Sequence, residues 1–225
     1  MTLHGLLTLA VAAVVAAAPA SAQSKRRPAP KKPAAHSAPA APKTTTPDVK
    51  CPSLIGMGVK TIRSFCDVPA GTDPQQGVVV SLPPHAGAAT LSFDLHARHT
   101  YSESQTKSGK GYSRYNAVIG VLTMKGDLLT RAGVQAEFRS AADLFDRIGG
   151  GAGPGGLKAV APVGREQIFV TIPPDVDQVA ILGETLDAVT PAGHETMVLP
   201  GRPVAVISDV LVKYTPAAAR KKSDH

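Results

Sequence analysis

Between residues 89 and 98 the chain alternates: Leu91, Phe93, Leu95 and Ala97 fall on one face of an extended strand, and Ser92, Asp94, His96 and Arg98 on the other. A period of two predicts a half-buried strand of a sheet. The rhythm returns downstream, where Tyr115, Ala117, Ile119 and Val121 alternate with Asn116, Val118, Gly120 and Leu122. Because that stretch is apolar on both faces for several residues, it belongs in the middle of a sheet. After a turn at Lys125, Gly126 and Asp127, a third run sets Leu128, Thr130, Ala132, Val134, Ala136 and Phe138 against Leu129, Arg131, Gly133, Gln135 and Glu137. This predicts a strand paired back on the second.

Shorter runs at residues 78–82, 168–172, 178–183, 196–199 and 204–214 read as further strands, separated by Gly and Pro turns. Seven or eight such strands imply an all-β fold, an antiparallel β-sandwich of jelly-roll or immunoglobulin-like outline. Other segments interrupt the pattern. Residues 52–65 mix apolar side chains with Gly56 and Gly58 and read as a loop, and polar residues 102–111, with Gly109 and Gly111, as an exposed connection. Ser140 followed by Asp143 resembles a capping box opening one short helix as far as Ile148. Residues 149–156, glycine-rich with Pro154, form a loop; Lys158 there has no Ser or Thr after it, so a phosphate-binding loop does not match. His194 and Glu195 read as an exposed hairpin tip.

Composition divides the chain into four. Residues 1–22 resemble a secretory signal peptide: an apolar run at 6–18, then Ala20, Ser21 and Ala22 before Gln23, although no Lys or Arg precedes Leu6. Residues 23–50 are rich in Pro, Ala and Lys and read as a disordered linker, 51–216 as the sandwich domain, and 217–225 as a disordered basic tail. A secreted or periplasmic location follows. In an oxidising compartment the two cysteines, Cys51 and Cys66, pair most simply as a disulfide, being too far apart for a C-x-x-C redox pair and without a His beside them for zinc.

The net charge of +7 looks like an invitation to nucleic acid until it is located. Residues 23–50 carry seven Lys or Arg and one Asp, and residues 217–225 three and one, leaving the middle with 14 basic and 15 acidic groups. A near-neutral body argues against sequence-specific nucleic-acid binding, while the basic tails suit weak, salt-screened contact with anionic surfaces.

Candidate chemistry centres on the first strand. His96 and His99 form an H-x-x-H pair, but residues three apart on a strand face opposite sides, and with Asp94 and Arg98 they read as a solvated polar face. No metal and no cofactor is expected. A hydrolytic reading takes His99 as general base, Glu103 or Asp94 to orient it, and Ser102 or Ser104 as nucleophile. Neither G-x-S-x-G nor H-E-x-x-H occurs to support it. The chain has no Trp, and three of its four Tyr, Tyr101, Tyr112 and Tyr115, cluster around one loop. Those three with His96 and His99 are the candidate binding residues, and a non-enzymatic module contacting an envelope protein or glycan is the expected function.

Overall fold

The computed structural model describes residues 40–148 and 157–217, apart from the side chains of Tyr101 and residues 157–160. The signal-like segment, most of the linker, the glycine loop and the C-terminal tail therefore lie outside the described residues. Two six-stranded antiparallel sheets pack face to face. The first runs β11 (Val163–Ile172), β6 (Ala89–Ala97), β14 (Pro203–Tyr214), β4 (Ser64–Pro69) and β3 (Leu54–Met57), with β1 (Lys43–Thr45) also on β14. The second runs β2 (Asp48–Lys50), β5 (Val78–Ser81), β12 (Gln178–Thr190), β8 (Ser113–Thr123) and β9 (Leu128–Phe138), with β13 (Gly193–Met197) on β12. A two-stranded ribbon, β7 (Thr100–Ser102) and β10 (Leu157–Val160), leaves one end.

The alternation read from the sequence is the alternation that builds the core. Leu91, Phe93, Leu95 and Ala97 of β6 meet Ala117, Ile119 and Val121 of β8 and Val134 of β9 in one buried cluster. β8 sits inside its sheet between β12 and β9, where its two apolar faces placed it, and β9 pairs back on it from Ser113↔Phe138 to Leu122↔Leu128. Cys51 and Cys66 form the disulfide, with Cα atoms 5.8 Å apart, tying the segment that follows β2 to β4.

Several expectations need correction. The ordered body begins before Cys51: Lys43–Thr45 and Asp48–Lys50 are strands rather than linker, because β14 and β5 offer open backbone edges and Val49 packs on the core. The segment between the cysteines is the hairpin β3–β4, its glycines accommodated by Gly56 at φ 134° and an irregular register. Polar residues 102–111 include a helix, α1 (Glu103–Lys107), capped by the Ser102 side chain. The Ser140–Asp143 capping box is present, yet it closes a single 3-10 turn at Ala141–Asp143, since Leu144 at φ −75°, ψ 126° is already extended. His194 and Glu195 lie along β13, opposite Val189 and Ala188, because the reversal falls between Thr190 and Gly193.

The polar face of β6 is not solvated. Phe145 and Ile148, which follow the 3-10 turn, join Phe65, Val206 and Ile55 in a second apolar cluster laid over the outside of the first sheet. Asp94 and His96 are buried beneath it. Period-two reasoning placed them on the outer face but could not foresee that a later segment would return to cover it.

Candidate functional site

Chain order brings the β6–β7 corner, α1, the start of β8, the end of β9 and the β12–β13 turn to one end of the sandwich. There they enclose a cleft of about 750 Å³ whose lining includes His99, Ser102, Lys110, Tyr112, Tyr115 and Phe138. Ser102 ends β7 and starts the helix: its hydroxyl accepts from the Gln105 amide at 3.4 Å and shares a hydrogen bond with Ser104 at 3.1 Å. Thr106 Oγ1 donates back to the Ser102 carbonyl at 2.8 Å, fixing α1 as the cleft's rim.

His99 forms the buried part of the wall, 3% exposed. Its ring lies 4.2 Å from that of Phe138, centroid to centroid, and 5.5 Å from that of Tyr115, edge on. The Tyr115 hydroxyl is 2.7 Å from His99 Nδ1. The other ring nitrogen, Nε2, is a buried atom with no hydrogen-bond partner among the described residues. Burial drives the His99 pKa down to about 4, so the imidazole is neutral at pH 7. Burial likewise raises the Tyr115 pKa, against smaller opposing effects of Ser113 and Arg98. The cleft thus offers hydroxyls, aromatic rings, a neutral imidazole and the Lys110 ammonium, with no carboxylate in its lining among the described residues.

The structure separates the other candidates from this group. His96 stands 0% exposed on the far side of the first sheet, between the rings of Phe65 and Phe145 at 5.5 and 5.1 Å. A carbonyl can only accept, so Nδ1 donates to Gly164 O at 3.0 Å and Nε2 accepts from Ser208 Oγ at 2.9 Å. Burial lowers its pKa despite the Gly164 bond and nearby Asp94, and the ring is a satisfied, neutral part of the packing. Asp94 beside it accepts from Arg63 at 2.8 Å and Arg165 at 3.3 Å, far from the role of orienting His99. Tyr101 lies in β7 with its side chain outside the described residues. Tyr112 and Tyr115 share the cleft with His99. Sequence reasoning missed Lys110, though it lies two residues from Tyr112 in the exposed connection, and it missed Phe138 and the Thr190–Ala192 turn, which come from distant segments signalled only by the pairing of β9 and β12 with β8.

Two arrangements important for catalysis can be read directly. The hydrogen-bond partner of His99 Nδ1 is a phenol, where a nucleophile–His–acid relay has a carboxylate. Among the described residues no group of three His, Cys, Asp or Glu is placed to hold a metal ion.

No family model matches the chain, and no curated protein does. Among solved structures it is similar to the VP2 subviral particle of infectious bursal disease virus at 12% identity, with a TM-score of 0.21, over 80% of this chain and 43% of that one. The chain spans less than half the length of that capsid protein, and a likeness of this size bears on neither fold nor function.

Proposed function

We propose that the protein is an exported, non-catalytic binding module that holds a hydroxyl-rich component of the cell envelope, a glycan, in the cleft beneath α1. The observation that carries this reading is the cleft itself, in which hydroxyls and the rings of Tyr112, Tyr115 and Phe138 surround a neutral His99. Stacking on tyrosine supplies the apolar part of sugar recognition. Export rests on the signal-like first 22 residues and the Cys51–Cys66 disulfide. Among the described residues no helix is long and apolar enough to cross a membrane.

Saturation-transfer NMR against envelope oligosaccharides, peptidoglycan fragments included, tests the reading. Signals from bound sugar should be lost in Tyr112→Ala and kept in Arg131→Ala, on the outer face of the second sheet. Transfer that is absent for every glycan, or indifferent to Tyr112, refutes it. Hydrolysis is the second reading, kept by the presence of His99 and Ser102 in one cleft. It predicts turnover of an activated ester that Ser102→Ala abolishes, and a flat trace disposes of it.

A further inference from the structure

Exposed apolar side chains gather at one hairpin, although Leu128, Phe169, Val198, Leu199 and Leu211 lie elsewhere. Leu54, Met57, Val59 and Ile62, four of the large exposed ones, fall within nine residues of the β3–β4 hairpin, at 65, 55, 67 and 72% exposure. Ile62 is also a β-branched residue in the left-handed region, at φ 58°, a conformation such side chains rarely adopt. Looseness of the tip does not account for it. The Asp146 carboxylate accepts from the Lys60 amide at 2.9 Å, the Thr61 amide at 2.8 Å and Thr61 Oγ1 at 2.5 Å. Val59 N donates to Arg147 O at 2.7 Å, Gly58 N to Arg63 O at 2.8 Å and Ile62 N to Gly58 O at 3.1 Å. A clamp of six hydrogen bonds thus holds an isoleucine in a strained conformation with its side chain in solvent. Strain of this kind persists where the surroundings over-determine it, and it concentrates at functional places.

The charges around the tip say what it faces. Lys60 is exposed on the tip itself, and Lys43 and Lys50 are exposed on the strands leading to it. Of the nearby carboxylates, Asp146 is held in the clamp, while Arg63 and Arg165 together neutralise Asp94 and Asp209, Arg63 reaching them at 2.8 and 2.9 Å and Arg165 reaching Asp94 at 3.3 Å, which leaves Asp48 exposed on β2. Thr46, Pro47 and Val49 of the entering chain line the same groove as Leu54, Ile62 and Leu211, so that chain reaches the body beside the hairpin. Upstream of it the sequence adds Lys25, Arg26, Arg27, Lys31 and Lys32, with no acidic residue before Asp48.

We infer that this edge docks on an anionic lipid surface, Val59 and Ile62 entering the headgroup region while Lys60, Lys50 and Lys43 pair with phosphates. A purely apolar partner leaves the cations without a counter-charge, and a purely acidic one leaves the tip in a polar setting. An anionic bilayer satisfies both, and stable peripheral attachment generally takes two such signals. The surface is separate from the cleft and does not depend on the glycan reading.

Co-sedimentation of the protein, as recovered from the secreting cell, tests it with vesicles of phosphatidylcholine alone and of phosphatidylcholine with a quarter phosphatidylglycerol. Binding is expected to the second only, and to fall in about 0.5 M salt. Ile62→Gly is the decisive variant: glycine accepts the left-handed backbone, so the melting temperature should hold or rise while vesicle affinity drops about fivefold or more. Val59→Asp should lower affinity similarly, and Lys60→Gln by less. Equal binding to both vesicles, or salt-sensitive binding that Ile62→Gly and Val59→Asp leave unchanged, overturns the inference.

Discussion

Replacing Asp146 with alanine removes the acceptor for four donors, and the cost can be worked from their geometry. Oδ1 takes the amides of Lys60 at 2.9 Å and Arg147 at 2.7 Å; Oδ2 takes the Thr61 amide at 2.8 Å and its hydroxyl at 2.5 Å. The carboxylate is 3% exposed, whereas Lys60 and Arg147 lie at the surface, so water can reach the freed amides. Each bond then counts in the lower part of the ordinary range, about 0.75 kcal/mol, and the four sum to roughly 3 kcal/mol. With a urea slope of about 2 kcal/mol per molar, the midpoint should fall by about 1.5 M.

Asp146→Asn discriminates the mechanism. Its oxygen can serve one pair of donors while its NH2 group confronts the other, so the loss should be about half that of alanine. The hydrogen-bond account also fixes a pH signature. Burial pushes the Asp146 carboxyl up, but the bonds from Thr61, Lys60 and Arg147 outweigh it and hold the pKa below the usual carboxylate range. A depressed carboxylate stabilises above its unfolded pKa and loses that contribution as pH falls through the folded value, so wild type and alanine variant should converge in strong acid. A midpoint shift equivalent to less than about 0.5 kcal/mol, or asparagine as harmful as alanine, would show that the clamp does not bear on stability.

Three further outcomes follow from the packing. Cys51→Ser with Cys66→Ser should cost roughly 3 kcal/mol in denaturant unfolding, since the bridge closes a short loop of the unfolded chain; an unchanged midpoint would mean β3 and β4 are held by pairing alone. Gly183→Ala places a methyl group against Val204 and 3.3 Å from the Ala70 Cα, where β12 meets the first sheet, and should lose roughly 1–3 kcal/mol by thermal melting. His99, held at about 4 in the fold against 6.5 free, contributes stability that is complete above pH 6.5 and drains away as pH falls to 4. The slope should approach about 1.4 kcal/mol per pH unit, and His99→Phe should flatten it; identical profiles for the two proteins would contradict the burial assigned to this ring.

The sandwich was legible because burial on one face of a sheet writes itself into every second residue. Leu91, Phe93 and Leu95, or Ala117, Ile119 and Val121, needed no knowledge of their partners to be placed inside. What stayed hidden depended on partners. Thr44, Thr45 and Val49 sit in a stretch whose composition resembles linker, and they become strands only because β14 and β5 have edges to offer. The Gly56–Gly58 segment reads as loop because its glycines weaken local preference, yet Gly58 is required where a Cβ would strike Asp146 and Phe65. The cleft was half legible: Tyr112, Tyr115 and His99 are close in sequence, whereas Phe138 and Pro191 reach it only through the register of β9 and β12.

His96 and His99 show why residue type alone does not locate a site. They stand three apart, both are buried and both are kept neutral by that burial. One lies on β6 and the other in the corner that follows it, and the two places give them opposite fates. His96 meets a carbonyl and a hydroxyl, one for each nitrogen, so its polar capacity is spent within the protein and its ring serves as packing between two phenylalanines. His99 meets the Tyr115 phenol and the Phe138 ring, and its second nitrogen, though buried, has no partner among the described residues. The cost of burying a polar group is recovered within the fold in the first case and left standing in the second. That difference is invisible in an H-x-x-H spacing.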